Sequence, residues 1–173
     1  ENLARALLTA REFAESASGW LVIMGDHGCG KTHLAAAIAH RVEEAGPGRR
    51  VVFVTAADLL DHLRATFGPS ARVRYDQRFD AAREADLLVL DDLTLESASP
   101  WAREKLFQLL GYRHVARAAT VITTTVSLQE ADPWLLSRMA DRRRCDVFEI
   151  LAPPFGLRRS APARQPRSRR AKR

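Results

Sequence analysis

The sequence predicts a parallel α/β sheet with helices on both faces. Short apolar or β-branched runs recur five times, and segments of helical character alternate with them. The two chemically distinctive motifs both fall at the carboxyl ends of such runs, where ligands of parallel sheets bind.

The elements follow in order. Asn2 to Glu15 carries Leu3, Leu7, Leu8 and Phe13 with helical character and ends at the small-residue break from Ser16 to Gly19. Trp20 to Met24 is the first buried strand, and His33 to His40 the helix beyond the glycine-rich segment that follows it. Gly46, Pro47 and Gly48 force a turn before the strand Val51 to Val54. Thr55 and Asp58 have the spacing of a capping box and open a helix through Leu59, Leu60 and Leu63, which Gly68 and Pro69 stop. Residues 73–84 form a further short helix. Leu87 to Leu90 is continuously apolar, as a strand buried on both faces must be. Ser99 and Pro100 start a helix whose stripe is Trp101, Leu106, Leu109 and Leu110, a core face. Thr120 to Thr125 is β-branched throughout, Asp132 and Pro133 cap another helix, and Asp146 to Ile150 is the last strand. No internal repeat is visible.

Residues 25 to 32, Gly25, Asp26, His27, Gly28, Cys29, Gly30, Lys31 and Thr32, match the phosphate-binding pattern G-x-x-x-x-G-K-[ST] between a strand and a helix. Glycines let backbone N–H groups turn inward around a triphosphate, and the helix N-terminus adds its positive dipole end. Lys31 reaches the β- and γ-phosphates, and Thr32 offers a hydroxyl to Mg²⁺. Asp26, His27 and Cys29 fill the variable positions as loop residues, with His33 following. The strand Leu87 to Leu90 ends in Asp91, Asp92 and Leu93, a second acidic motif of Walker B type. Asp91 is expected to hold Mg²⁺ through its water shell, because that cation keeps several waters and takes one or two carboxylates. Asp92 is expected to polarise the attacking water as general base. Together the motifs predict a P-loop NTPase that hydrolyses ATP.

The chain has 173 residues, 46% of them hydrophobic, enough for one domain with a core. Its formal charge of +6 is concentrated at the end. Arg158, Arg159, Arg164, Arg167, Arg169, Arg170, Lys172 and Arg173 follow Glu149 without another acid, and without these eight the rest carries −2. Residues 1–157 are therefore read as the ATPase core and 158–173 as a basic tail too poor in apolar residues to fold, able to add salt-sensitive DNA affinity. Basicity is no argument for a nucleic-acid-binding fold. Two cysteines, Cys29 and Cys145, exclude a disulfide framework or a cysteine zinc cluster and fit a reducing cytoplasm. No run of about 18 apolar residues is available to span a bilayer, and no signal peptide is visible. The chain starts at Glu1 without methionine, which points to missing upstream sequence.

The run Gly30 to Ala39, the Asp91-Asp92-Leu93 motif, and Trp101, Glu104 and Leu106 followed by Tyr112 and Arg113 resemble the AAA+ core of bacterial helicase loaders of the DnaC/DnaI type. The similarity covers roughly residues 2 to 158 and extends to the IstB-type ATPases that assist transposases. It implies a five-stranded parallel sheet without a lid domain, a homo-oligomer with nucleotide at subunit interfaces, single-stranded DNA as ligand, and a replicative helicase or a transposase as partner. The partner-binding N-terminal region of the loaders is expected to lie outside this sequence. The resemblance also implies a sensor of the γ-phosphate at Thr125, where the family usually has Asn; a hydroxyl can serve with shorter reach. Leu136, Ser137, Arg138 and Met139 are similar to the segment that supplies an arginine finger, with Arg138 as the finger and Arg142, Arg143 and Arg144 as alternatives. Arg64, Arg72, Arg74 and Arg78, interleaved with Phe67, Tyr75 and Phe79, have the composition of a single-strand groove or of a solvated helix face. A P-loop kinase and a non-hydrolysing DNA-binding remnant are the remaining alternatives, and Asp92 favours water as the acceptor.

Overall fold

A computed structural model describes residues 1–65, 72–95 and 98–155; side chains are described for these except at 65 and 72–76. Five strands, β1 (Trp20–Gly25), β2 (Val51–Thr55), β3 (Leu87–Asp91), β4 (Ala119–Thr124) and β5 (Cys145–Ile150), form one sheet in the order β2-β3-β4-β1-β5, and every neighbouring pair is parallel. The helices are α1 (Asn2–Ser16), α2 (Lys31–Ala45), α3 (Ala56–Ala65), α4 (Arg72–Glu84), α5 (Pro100–Val115) and α6 (Pro133–Met139).

The strands are apolar at nearly every position because each face has its own core. Leu21, Ile23, Leu87, Val89 and Val121 pack against Ala6, Ala10 and Phe13 of α1 and Ala35, Ile38 and Val42 of α2. Their alternates Val22, Met24, Leu88, Leu90 and Ile122 face Leu59 and Leu63 of α3, Leu106, Leu109 and Leu110 of α5 and Leu135 of α6. Caps read from the sequence form as expected. The Ser99 side chain accepts from Ala102 N–H at 3.3 Å, Asp132 from Trp134 N–H at 2.9 Å, and Thr55 from Asp58 N–H at 3.0 Å.

Several boundaries differ by a residue or two. α2 starts at Lys31 rather than His33, since left-handed Gly30 turns the loop directly into the helix. β4 ends at Thr124, leaving Thr125 just past the strand. The Gly68-Pro69 stop, Phe67 and the tail 158–173 lie outside the described residues, as do the side chains of Arg72, Arg74 and Tyr75. Phe79, one of the aromatic residues read as part of a single-strand groove or of a solvated helix face, packs partly buried against the α3/α5 core. Arg64 stays at the surface, 5.5 Å from the Trp101 ring centroid. No described helix is long and apolar enough to cross a membrane. Both cysteines are buried and free, and burial raises the Cys145 thiol to about 12.

At the amino end of the sheet Arg113 is fully buried and, among the described residues, makes no ion pair. Its guanidinium is satisfied by oxygens instead. Nε donates to the Thr120 hydroxyl at 2.9 Å, and NH1 donates to the carbonyls of Ala82, Arg83 and Ala85 at 2.9 to 3.0 Å, while NH2 donates to Ala119 O. The carbonyls of Ala82, Arg83 and Ala85 are the open C-terminal end of α4, where a cation is favoured, and that of Ala119 belongs to β4. Desolvation lowers its pKa to about 10, leaving it charged at neutral pH. Arg113→Met should cost about 3 kcal/mol, because several buried carbonyls lose their donor at about 1–3 kcal/mol each and the lost charge offsets part of this. Urea midpoints for Arg113→Met and Arg113→Lys check it; both should fall, as the lysine lacks the planar fork.

Candidate nucleotide-binding site

The loop between β1 and α2 is shaped by glycines that other residues cannot replace. Gly25 has φ +142°, and a Cβ there would sit 2.5 Å from Ile150 O, a backbone collision. Gly30 has φ +110° with open space around it, so its need for glycine is conformational. Cys29 is buried beneath the loop, its Sγ 3.0 Å from where a Gly25 Cβ would lie, which makes it a small packing residue.

Lys31 is 8% exposed, and its ammonium donates to Gly25 O at 2.7 Å and Asp26 O at 2.9 Å. The lysine is thus held over the loop by its own backbone. Asp26 contributes this carbonyl while its residue stays exposed. The Thr32 hydroxyl lies 3.1 and 3.0 Å from the two carboxylate oxygens of Asp91, a residue 59 positions away that is 6% exposed. Two oxygen donors of the hard type that Mg²⁺ prefers therefore converge, and the residues present fit that cation and a triphosphate.

β4 lies between the loop strand β1 and the acidic strand β3, and it contributes a residue that sequence reasoning missed. The Thr123 hydroxyl donates to Asp91 Oδ1 at 2.6 Å and accepts the Asp92 N–H at 2.9 Å. Asp92 is exposed and left-handed, with φ +55°.

A cavity of about 700 Å³ joins these groups. Its polar side holds His27, Lys31, Thr32, His33, Asp91, Asp92 and Thr123, and Leu3, Pro153 and Phe155 supply an apolar wall. The wall is assembled by backbone clamps. Asn2 donates to Glu149 O and accepts from Leu151 N–H, both at 2.9 Å, and Phe155 N–H donates to Gly28 O at 3.1 Å. Leu3 belongs to the helical pattern of residues 2–15 and Phe155 to no pattern, and only the fold brings both to the cavity. Thr123 had one signal, since it stands two residues before Thr125 in the same strand run and so on the same face.

Of the expected site residues, Gly28, Cys29, Gly30, Lys31, Thr32, His27, His33, Asp91 and Asp92 line the cavity, while Gly25, Asp26, Thr125 and Arg138 do not; Gly25 and Asp26 act through the carbonyls that hold Lys31. Thr125 is half-buried beyond the end of β4. Arg138 lies over the Trp134 ring at 3.5 Å and donates to Trp134 O at 3.0 Å, and Trp134 stacks on Phe107 with ring centroids 4.3 Å apart. Desolvation lowers the Arg138 pKa from its ordinary value.

Comparison with known proteins places this geometry. The replicative helicase loader DnaC of Escherichia coli K12 is 29% identical over 147 residues, covering 83% of this chain. The chain spans 59% of that relative's length. A crystal structure of the DnaC helicase loader superposes with a TM-score of 0.63 at 30% identity, covering 85% of this chain and 89% of that one. Domain III of the Thermotoga maritima replication initiation protein DnaA shares the fold at a TM-score of 0.74 and 24% identity, covering 91% of this chain and 65% of that one. The sheet and its helices are those of the AAA+ P-loop core. The profile of the IstB-like ATP binding protein family matches residues 4–150, 147 of the 173 in the chain, and the chain belongs to that family.

Proposed function

We propose that this chain binds ATP with Mg²⁺, hydrolyses it, and uses the cycle to assist loading of a replicative DNA helicase onto single-stranded DNA. The observation that carries the ATPase reading is the approach of Thr32 to Asp91 beside Lys31 and Asp92. The DnaC relative, whose name describes a replicative helicase loader, supports the choice of partner. The family match to IstB-like proteins favours a second reading, the same ATPase serving a transposase.

On this reading the backbone N–H groups of the loop and Lys31 take the phosphates, and Leu3, Pro153 and Phe155 hold the base. Thr32 and Asp91 hold Mg²⁺, which when bound neutralises charge on the phosphates. Asp92 draws a proton from the attacking water. Arg138, presented on its tryptophan, acts on the nucleotide of a neighbouring copy, a contribution worth ~10³ to 10⁵ in rate in other NTPases. The interacting partner is a helicase or a transposase.

Lys31→Ala should abolish ATP binding, and Asp92→Asn should retain binding while turnover falls at least ~100-fold; fluorescent-nucleotide titration and phosphate release separate the two. An Asp92→Asn chain that turns over normally removes the general base. Phe155→Ala should weaken ATP several-fold and leave inorganic triphosphate affinity unchanged, a comparison accessible by calorimetry. Arg138→Ala should keep nucleotide affinity and lose any rise of specific activity with protein concentration. Capture of purified helicase against purified transposase on the immobilised chain with ATP decides the partner.

A further inference from the structure

We infer that Thr123 is a positioning residue that sets Asp91 and Asp92 together, one hydroxyl fixing the orientation of the first and the backbone of the second. The inference rests on the ATPase reading above and adds a residue to it.

A hydroxyl carries one proton. At Thr123 that proton is committed to Asp91 Oδ1 at 2.6 Å, because the oxygen also accepts the Asp92 N–H at 2.9 Å. The arrangement is buried, with Thr123 only 1% exposed, so water does not substitute for either partner. Asp91 receives a second hydroxyl from Thr32, so both carboxylate oxygens have defined partners. Asp92 adopts a left-handed conformation, φ +55°, that non-glycine residues rarely hold, though aspartate does so more readily than most. Its N–H bond to Thr123 closes the turn in that conformation and leaves Asp92 in the cavity lining rather than continuing the strand. Leu93 N–H then bonds Thr123 O at 2.8 Å, and Leu93 O accepts the Thr124 hydroxyl at 2.7 Å, so the segment after Asp92 is tied to the same stretch of β4. The side-chain link is special to Thr123, because it joins the two acids to each other through a single atom.

The test compares Thr123→Val, Thr123→Ala and Thr123→Ser in the full chain, with Asp92→Asn as reference. Amide hydrogen exchange by NMR, without nucleotide or metal, reads the Asp92 N–H directly. Protection at Asp92 should fall roughly tenfold in the Val and Ala variants, the equivalent of one hydrogen bond, and persist in the Ser variant. In ATP hydrolysis with single-stranded DNA, kcat should fall at least ~10-fold in Val and Ala with KM within about twofold, and Ser should restore it. Unchanged Asp92 exchange in both hydroxyl-less variants overturns the inference, as does a loss that appears in KM alone or that Ser fails to rescue. If Asp92→Asn loses turnover while Thr123→Val and Thr123→Ala keep it, the positioning role fails and the ATPase reading stands. Hydrolysis that is the same in Asp92→Asn as in the native chain sinks the ATPase reading itself, and the exchange measurement still decides whether Thr123 holds Asp92.

Discussion

The buried carboxylate of Asp91 is the point at which three distant segments of the chain have to agree. Removing a carboxylate from water is costly unless hydrogen bonds replace its hydration. Here the replacements come from Thr32 at the start of α2 and Thr123 on β4. Neither donor is near Asp91 in sequence, and both are delivered by the sheet order, which inserts β4 between β1 and β3. A slip of one residue in the β3 to β4 pairing, which now sets Val89 opposite Val121 and Leu90 opposite Ile122, would turn Thr123 to the other face and strand the acid. Register, burial and phosphate chemistry are thus one constraint.

The two ends of the sheet solve the problem of buried charge in opposite ways. At the carboxyl end, charge is concentrated beside an open cavity. At the amino end, Arg113 is sealed in and meets carbonyls rather than acids. The carbonyls at the end of α4 already lack helical partners, so one guanidinium satisfies them and fastens that helix to β4. The Tyr112-Arg113 pair that contributed to the resemblance therefore has a physical reason, with Tyr112 as the outward half, its ring 4.7 Å below the Arg83 guanidinium.

How much of this was legible in the sequence depends on whether the signal was local. The loop from Gly25 to Thr32, the caps at Thr55, Ser99 and Asp132 and the five apolar runs are local, and the structure reproduces them within a residue or two. Strand order is not local, so the interposition of β4 could not be read, and Thr123 had as its one signal its place two residues before Thr125. The apolar wall was invisible for the same reason, since Leu3 and Phe155 lie at opposite ends of the described chain and both reach the cavity only through the fold, in which the Asn2 side chain ties the start of α1 to Glu149 and Leu151. Phe79 shows the limit of compositional reading. An aromatic residue between arginines has the look of a stacking platform, yet Phe79 lies partly buried against the core because its helix must bury one side.

The cavity's charge balance bears on how the proposed hydrolysis is completed. Among the described residues lining it, Lys31 is the sole lysine or arginine, against the carboxylates of Asp91 and Asp92. A triphosphate brings more negative charge than one ammonium and one divalent cation neutralise, and phosphoryl transfer rewards positive charge supplied around the transferred group. Arg138 is not turned toward its own chain's cavity. It is half-buried on a stack of Phe107 and Trp134, with NH1 fixed by Trp134 O and the ordinary freedom of an arginine side chain already surrendered. A guanidinium ordered in advance loses less entropy when it meets phosphate than a mobile surface arginine does. On the proposed reading this favours Arg138 over Arg142, Arg143 and Arg144 as the cation that one copy would offer to the nucleotide of another, and would make assembly, rather than nucleotide binding, the step that switches the ATPase on.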